Sequence, residues 1–184
     1  MPAVPFAELP DAARIWVFAS DRPLRDADAH TLLRTVDEFL AQWKAHGAPL
    51  RCARDWRDDR FLVIGVDPTV EQASGCSIDG LFRGLQTIER ALGTRLVAGG
   101  RVFYRDAAGK PQLAARGDLG SLAARGILDA ETPVFDTSIT TAGGYRERFE
   151  QPARETWVAS LISPDHDSQS SSRAATKSSS AKNG

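Results

Sequence analysis

Asp26-Ala-Asp-Ala-His-Thr-Leu-Leu-Arg-Thr-Val-Asp-Glu-Phe-Leu-Ala-Gln-Trp-Lys-Ala-His46 carries the clearest periodicity in the chain. Leu32, Leu33, Val36, Phe39, Leu40 and Trp43 recur at the three-to-four-residue spacing of one helix face. The spacing predicts a helix from Asp26 to His46. Asp26 is placed as its N-cap, and Asp28 adds negative charge where the helix dipole favours it. Gly47, with Pro49 just beyond, is placed as the stop.

The neighbouring segments fall into order around this helix. Upstream, Arg14-Ile-Trp-Val-Phe-Ala-Ser20 is a short run of strand formers. Downstream, Leu50 to Trp56 reads as a second strand and Arg57-Asp-Asp-Arg60 as a hairpin turn. Phe61-Leu-Val-Ile-Gly-Val-Asp67 is a third strand, apolar enough for the centre of a sheet. Ser77 to Leu92 is a second amphipathic helix, with Ile78, Leu81, Phe82, Leu85, Ile88 and Leu92 on one face and Gly93 as terminator. Arg101-Val-Phe-Tyr-Arg105 is a fourth strand. The order β-α-β-β-α-β predicts an α+β, ferredoxin-like fold, with four antiparallel strands and two helices on one face. A short helix at 118–125, a strand at 133–140 and a strand or docked segment at 156–162 extend it. The two long helices are expected to run parallel.

Composition narrows the class. With 184 residues the chain can bury one substantial core, placed at 1–163 as a single domain. A formal net charge of -1 gives no basic excess to hold nucleic acid or an acidic membrane. No apolar run approaches the roughly 18 residues that span a bilayer. Pro2, Pro5, Glu8 and Pro10 interrupt any secretory signal, so a cytoplasmic location is expected. Cys52 and Cys76 are too few for a disulfide framework and read as reduced thiols. From 164 to 184 alanine is the one apolar residue type, which predicts a disordered tail. His166, between two aspartates there, reads as a solvated residue rather than a metal ligand.

Several separated blocks carry a resemblance. They are Val4-Pro5-Phe6, Leu9-Pro10, Arg14-Ile-Trp-Val17, Trp43-Lys-Ala-His-Gly47, Ser74-Gly-Cys-Ser-Ile-Asp79, Val134-Phe-Asp136 and Pro152-Ala-Arg-Glu-Thr-Trp157. Together they resemble a family of small bacterial proteins of unknown function whose members often carry the label "ABC transporter ATPase". The resemblance covers residues 4–160 and implies no established activity. The label implies ATP hydrolysis, which by a P-loop needs G-x-x-x-x-G-K-[ST] to cradle phosphates and magnesium. No such string occurs. Ala98-Gly-Gly100 and Ala142-Gly-Gly144 lack the lysine and are expected to lack a following helix. Ser74-Gly-Cys-Ser77 precedes a helix but also lacks the lysine.

The residues with most chemical potential are Gly75, Cys76, Ser77 and Asp79, at the mouth of the second helix. Free amides and the helix dipole there favour an anion, or lower a thiol's pKa into the nucleophilic range. The plainer reading makes Ser77 the cap, Gly75 a tight turn and Cys76 a small buried residue. Trp43 and His46 are candidate partner contacts, or simply the end of the apolar stripe and a dipole-complementing cation. With parallel helices His46 would lie roughly 25–30 Å from Cys76, leaving His30 as the histidine at the correct end for a Cys–His pair. Asp67 and Asp79 could pair, although Asp67-Pro68 is an ordinary strand end. Trp16, Trp56 and Trp157 could stack on RNA bases, but the aromatic strand signature of RNA-reading sheets is absent. No metal-ligand spacing occurs, and no cofactor is expected. The expected function is a non-catalytic domain binding an unknown protein, a small anionic ligand or a second copy of itself through the sheet or this loop. The alternative is a thiol-dependent enzyme or redox protein using Cys76.

Overall fold

The computed structural model describes residues 4–96 and 100–163. The expectations for 164–184, His166 included, lie outside these residues. In chain order the elements are β1 (Arg14–Ala19), α1 (Asp26–Gln42), β2 (Lys44–Ala45), β3 (Ala48–Pro49), β4 (Cys52–Arg57), β5 (Phe61–Val66), α2 (Gly75–Leu92), β6 (Arg101–Arg105), β7 (Pro111–Ala115), α3 (Leu119–Ala124), β8 (Pro133–Phe135), α4 (Ala142–Arg148), β9 (Glu150–Pro152) and α5 (Ala159–Ile162). The fold is α+β with antiparallel sheets. It divides into two compact units. The first holds residues up to Gly99 together with Asp136–Glu150, and the second holds Gly100–Phe135 and residues from Gln151 on. The chain therefore passes between them three times.

In the first unit β5 is central, in the order β1-β5-β4 and antiparallel to both neighbours. All six of its residues are buried, because both faces of the sheet are covered. Alternation sends Leu62, Ile64 and Val66 to one face, where they join Phe18, Leu32, Val36, Leu40, Leu81 and Leu85 in the core under α1 and α2. Phe61, Val63 and Gly65 take the other face. There Phe61 meets Phe149 at 5.1 Å between ring centroids. A Cβ on Gly65 would lie 2.4 Å from the Leu9 side chain, so the position is kept bare by close packing. The Phe6–Leu9 segment and α4 cover this face.

Several expectations need correction. The four-stranded ferredoxin-like sheet does not form, because β6 pairs with β7 and β8 in the second unit. The free edge of β1 is instead bridged by Thr141, with Ile15 N–H donating to Thr140 O at 2.9 Å. The two long helices are antiparallel, not parallel: β1 and β5 run oppositely, and the Trp43 indole at the end of α1 reaches Ser77 at the start of α2. α1 stops at Gln42 rather than His46. Trp43 leaves helical geometry, and Lys44–Ala45 pairs with Ala48–Pro49 across a two-residue turn. His46 and Gly47 in that turn have φ of 51° and 85°, the doubly positive geometry of tight hairpins. Asp26 makes no capping bond; it opens α1 at φ 48°. Ala142-Gly-Gly144, expected without a helix, opens α4 under a Thr141 cap. Residues 156–162 form a turn and α5 rather than a strand.

The second unit has a four-stranded sheet in the order β7-β6-β8-β9. Val102, Tyr104, Ala114, Leu119, Leu128, Val134 and Val158 form its core. Trp157 stays 51% exposed, with the Arg116 guanidinium 4.7 Å from its ring centroid.

Candidate functional site

A capping motif builds the mouth of α2. The Ser74 hydroxyl accepts the Ser77 backbone N–H at 3.2 Å, and the Ser74 carbonyl accepts the Ser77 hydroxyl at 2.8 Å and the Ile78 N–H at 3.0 Å. The cap is thus Ser74, not Ser77, whose buried side chain turns back onto the preceding residue. Gly75 and Cys76 become the first residues of the helix, and their N–H groups have no hydrogen-bond partner among the described residues. Cys76 is exposed, not buried. The buried thiol is Cys52, whose Sγ lies 3.6 Å from Leu40 O and whose pKa burial pushes up to about 11. Asp79 is exposed one position beyond the first turn.

The antiparallel helices bring the end of α1 to this mouth. Trp43 Nε1 donates to Ser77 O at 3.0 Å, and its ring packs on Trp16 and Phe39 at 6.1 and 5.5 Å. At 4% exposure Trp43 pins two helix ends and shows little surface to a macromolecular partner, so its candidacy as a partner contact falls. His46 is exposed at the hairpin tip. Phe39, Gln42, Trp43, Lys44, Ser77 and Gly80 line an open groove of about 350 Å³. His30, at the start of α1, is now at the end away from Cys76, which removes it as a pairing histidine. Asp67 is not paired with Asp79. It accepts from the Thr69 hydroxyl at 2.6 Å and Arg51 at 2.7 Å, and the Thr69 bond foremost holds its carboxyl below the usual range.

Two polar clusters escaped the sequence reading. On the second sheet face the Tyr145 hydroxyl donates to Asp55 Oδ2 at 2.7 Å, and Arg57 pairs with Glu150 and Asp58. Burial, then the Asp55 contact, pushes the Tyr145 phenol well above its ordinary value. At the start of α1, Ser20, Asp21, Arg60 and Thr94 converge, joined by a 2.9 Å Ser20–Thr94 hydroxyl bond. These bonds link residues 90 and 74 positions apart, so no local pattern announced them. A separate cleft of about 600 Å³ in the second unit is lined mainly by Ala123, Ala124, Leu128, Leu161 and Ile162. Its Arg154 is already held by Glu131 and Glu155.

Among the described residues no helix is long and apolar enough to cross a membrane, and no group of three or more His, Cys, Asp or Glu is placed to hold a metal ion. Comparisons with protein-family models, curated proteins and solved structures found no match to this chain.

Proposed function

We propose that this chain is a small cytoplasmic binding domain of the bacterial family it resembles, holding a small anionic ligand at the mouth of α2. The groove lined by Ser77 and Gly80, in the opening turns of the helix that Gly75 and Cys76 begin, carries this reading. Unpartnered N–H groups at a helix start attract negative charge, and Lys44 on the rim adds a cation. Phe39 and the Gly80 backbone supply an apolar wall for the rest of the ligand. Amide NMR with sodium acetate and inorganic phosphate tests the reading. Saturable shifts at Gly75, Cys76, Ser77 and Asp79 are expected, and Gly80→Leu, which fills the groove, should abolish them. Uniform shifts that track ionic strength would remove it.

A second reading, a reactive thiol, is favoured by the exposure of Cys76 in the first turn of α2. The β2–β3 hairpin packs on α2 through β2, which brings His46 to the same end of the molecule. Alkylation rates of Cys76 against pH, in wild type and His46→Asn, decide it. A rate profile centred near 8.5 in both proteins leaves Cys76 an ordinary surface thiol.

A further inference from the structure

Arg60 is 7% exposed and follows the turn between β4 and β5. Its Nη1 donates to the carbonyls of Ser20 and Asp21, both at 3.2 Å. Its Nε is sealed from solvent, the one buried side-chain nitrogen or oxygen among the described residues with no hydrogen-bond partner. Nη2 likewise makes no hydrogen bond to the described residues. The free Nε–Nη2 edge is the edge that grips two oxygens of one oxyanion side by side. Nη2 is not sealed and stays within reach of solvent, whereas Nε is left without a partner in the interior, which is unfavourable.

The surroundings set the charge of an occupant. Arg22 pairs with Asp28 and Arg25 with Asp59, each at 2.8 Å. Asp21 is held by the Thr94 hydroxyl at 2.7 Å and the Arg95 N–H at 3.3 Å. Arg60 itself has no carboxylate within ion-pair distance among the described residues, so a single negative charge would match it. We propose that Arg60 anchors a second binding site, for a small carboxylate monoanion, at the opposite end of α1 from the groove. Because Nε is sealed, the ligand must part the Asp21–Leu24 loop from the β4–β5 turn. The Leu24 N–H to Asp59 O bond at 2.7 Å and the Arg25–Asp59 pair close that gap.

The Nε–H resonance of Arg60 in the full chain reads the site directly. Sodium formate should shift it saturably, with chloride at matched ionic strength and dianionic phosphate at least about ten-fold weaker. Arg60→Lys keeps the charge but removes the fork, and should abolish the rise in unfolding temperature that formate gives wild type. Should that variant not fold, Arg25→Gln, which removes the pair that closes the gap, should speed the exchange of formate read at the Arg60 Nε–H about three-fold or more. No saturable shift, equal shifts in all three salts, formate stabilisation undiminished in Arg60→Lys, or unchanged exchange in Arg25→Gln would overturn the site and leave a buried water as the partner of Nε. The resonances of Gly75 and Cys76 report the groove separately, so either site can fail alone.

Discussion

The two faces of the β1-β5-β4 sheet are stabilised differently. Under α1 and α2 the contacts are almost wholly apolar, from Leu62, Ile64 and Val66 to Leu81 and Leu85. On the other face Phe61 and Gly65 sit beside a polar pair, Tyr145 and Asp55, and an Arg57–Glu150 ion pair. The helix face draws its stability from burial, which tolerates no lost volume. The second face depends on groups far apart in sequence meeting with the right partners, and a single hydrogen bond there contributes less than a core side chain.

Three measurements sharpen or break that contrast. Leu62→Ala, at 0% exposure, should cost about 2–5 kcal/mol in denaturant unfolding. A cost under 1 kcal/mol would mean the helix face is loosely packed. Alkaline pH comes next. The Cys52 thiol releases its proton near 9.0 when unfolded and near 11 when buried, so its contribution is complete below pH 9 and is lost as pH climbs towards 11. That loss is bounded at roughly 2–3 kcal/mol. Cys52→Ala should flatten stability between pH 9 and 10, before the phenol of Tyr145 begins to contribute on the opposite face. Smallest, Tyr145→Phe leaves Asp55 Oδ2 without its donor and should cost about 1–2 kcal/mol. An unchanged midpoint would make the second face an apolar surface like the first.

The contrast also explains what was legible beforehand. The stripes of α1 and α2 and the apolar run of β5 are local patterns, and the structure keeps all three. The end of α1 misled because Trp43 fits the helical stripe equally well as a core residue just outside the helix. Helix direction was misjudged because it follows from the antiparallel pairing of β1 with β5, which no residue spacing states. Arg101–Arg105 reads as a strand from its composition, but nothing in five alternating residues names the neighbour, so its move to another sheet was invisible. At the α2 mouth the residues were recognisable while their roles were not. Ser74 and Ser77 are equally good caps by type, and the hydrogen-bond geometry chose between them. The Arg60 cluster left no trace, since Ser20, Arg60 and Thr94 each look like ordinary turn residues.

The threefold passage of the chain between the units has a consequence for biosynthesis. A ribosome that has released 99 residues has delivered every strand of the first sheet but not Tyr145 or Phe149. Phe61 then stays without its Phe149 cover until the 50 residues from Gly100 to Phe149 have also been translated. During that interval this side of the first sheet has only the Phe6–Leu9 segment over Gly65 as cover, and uncovered apolar strand surface of that kind is prone to aggregate.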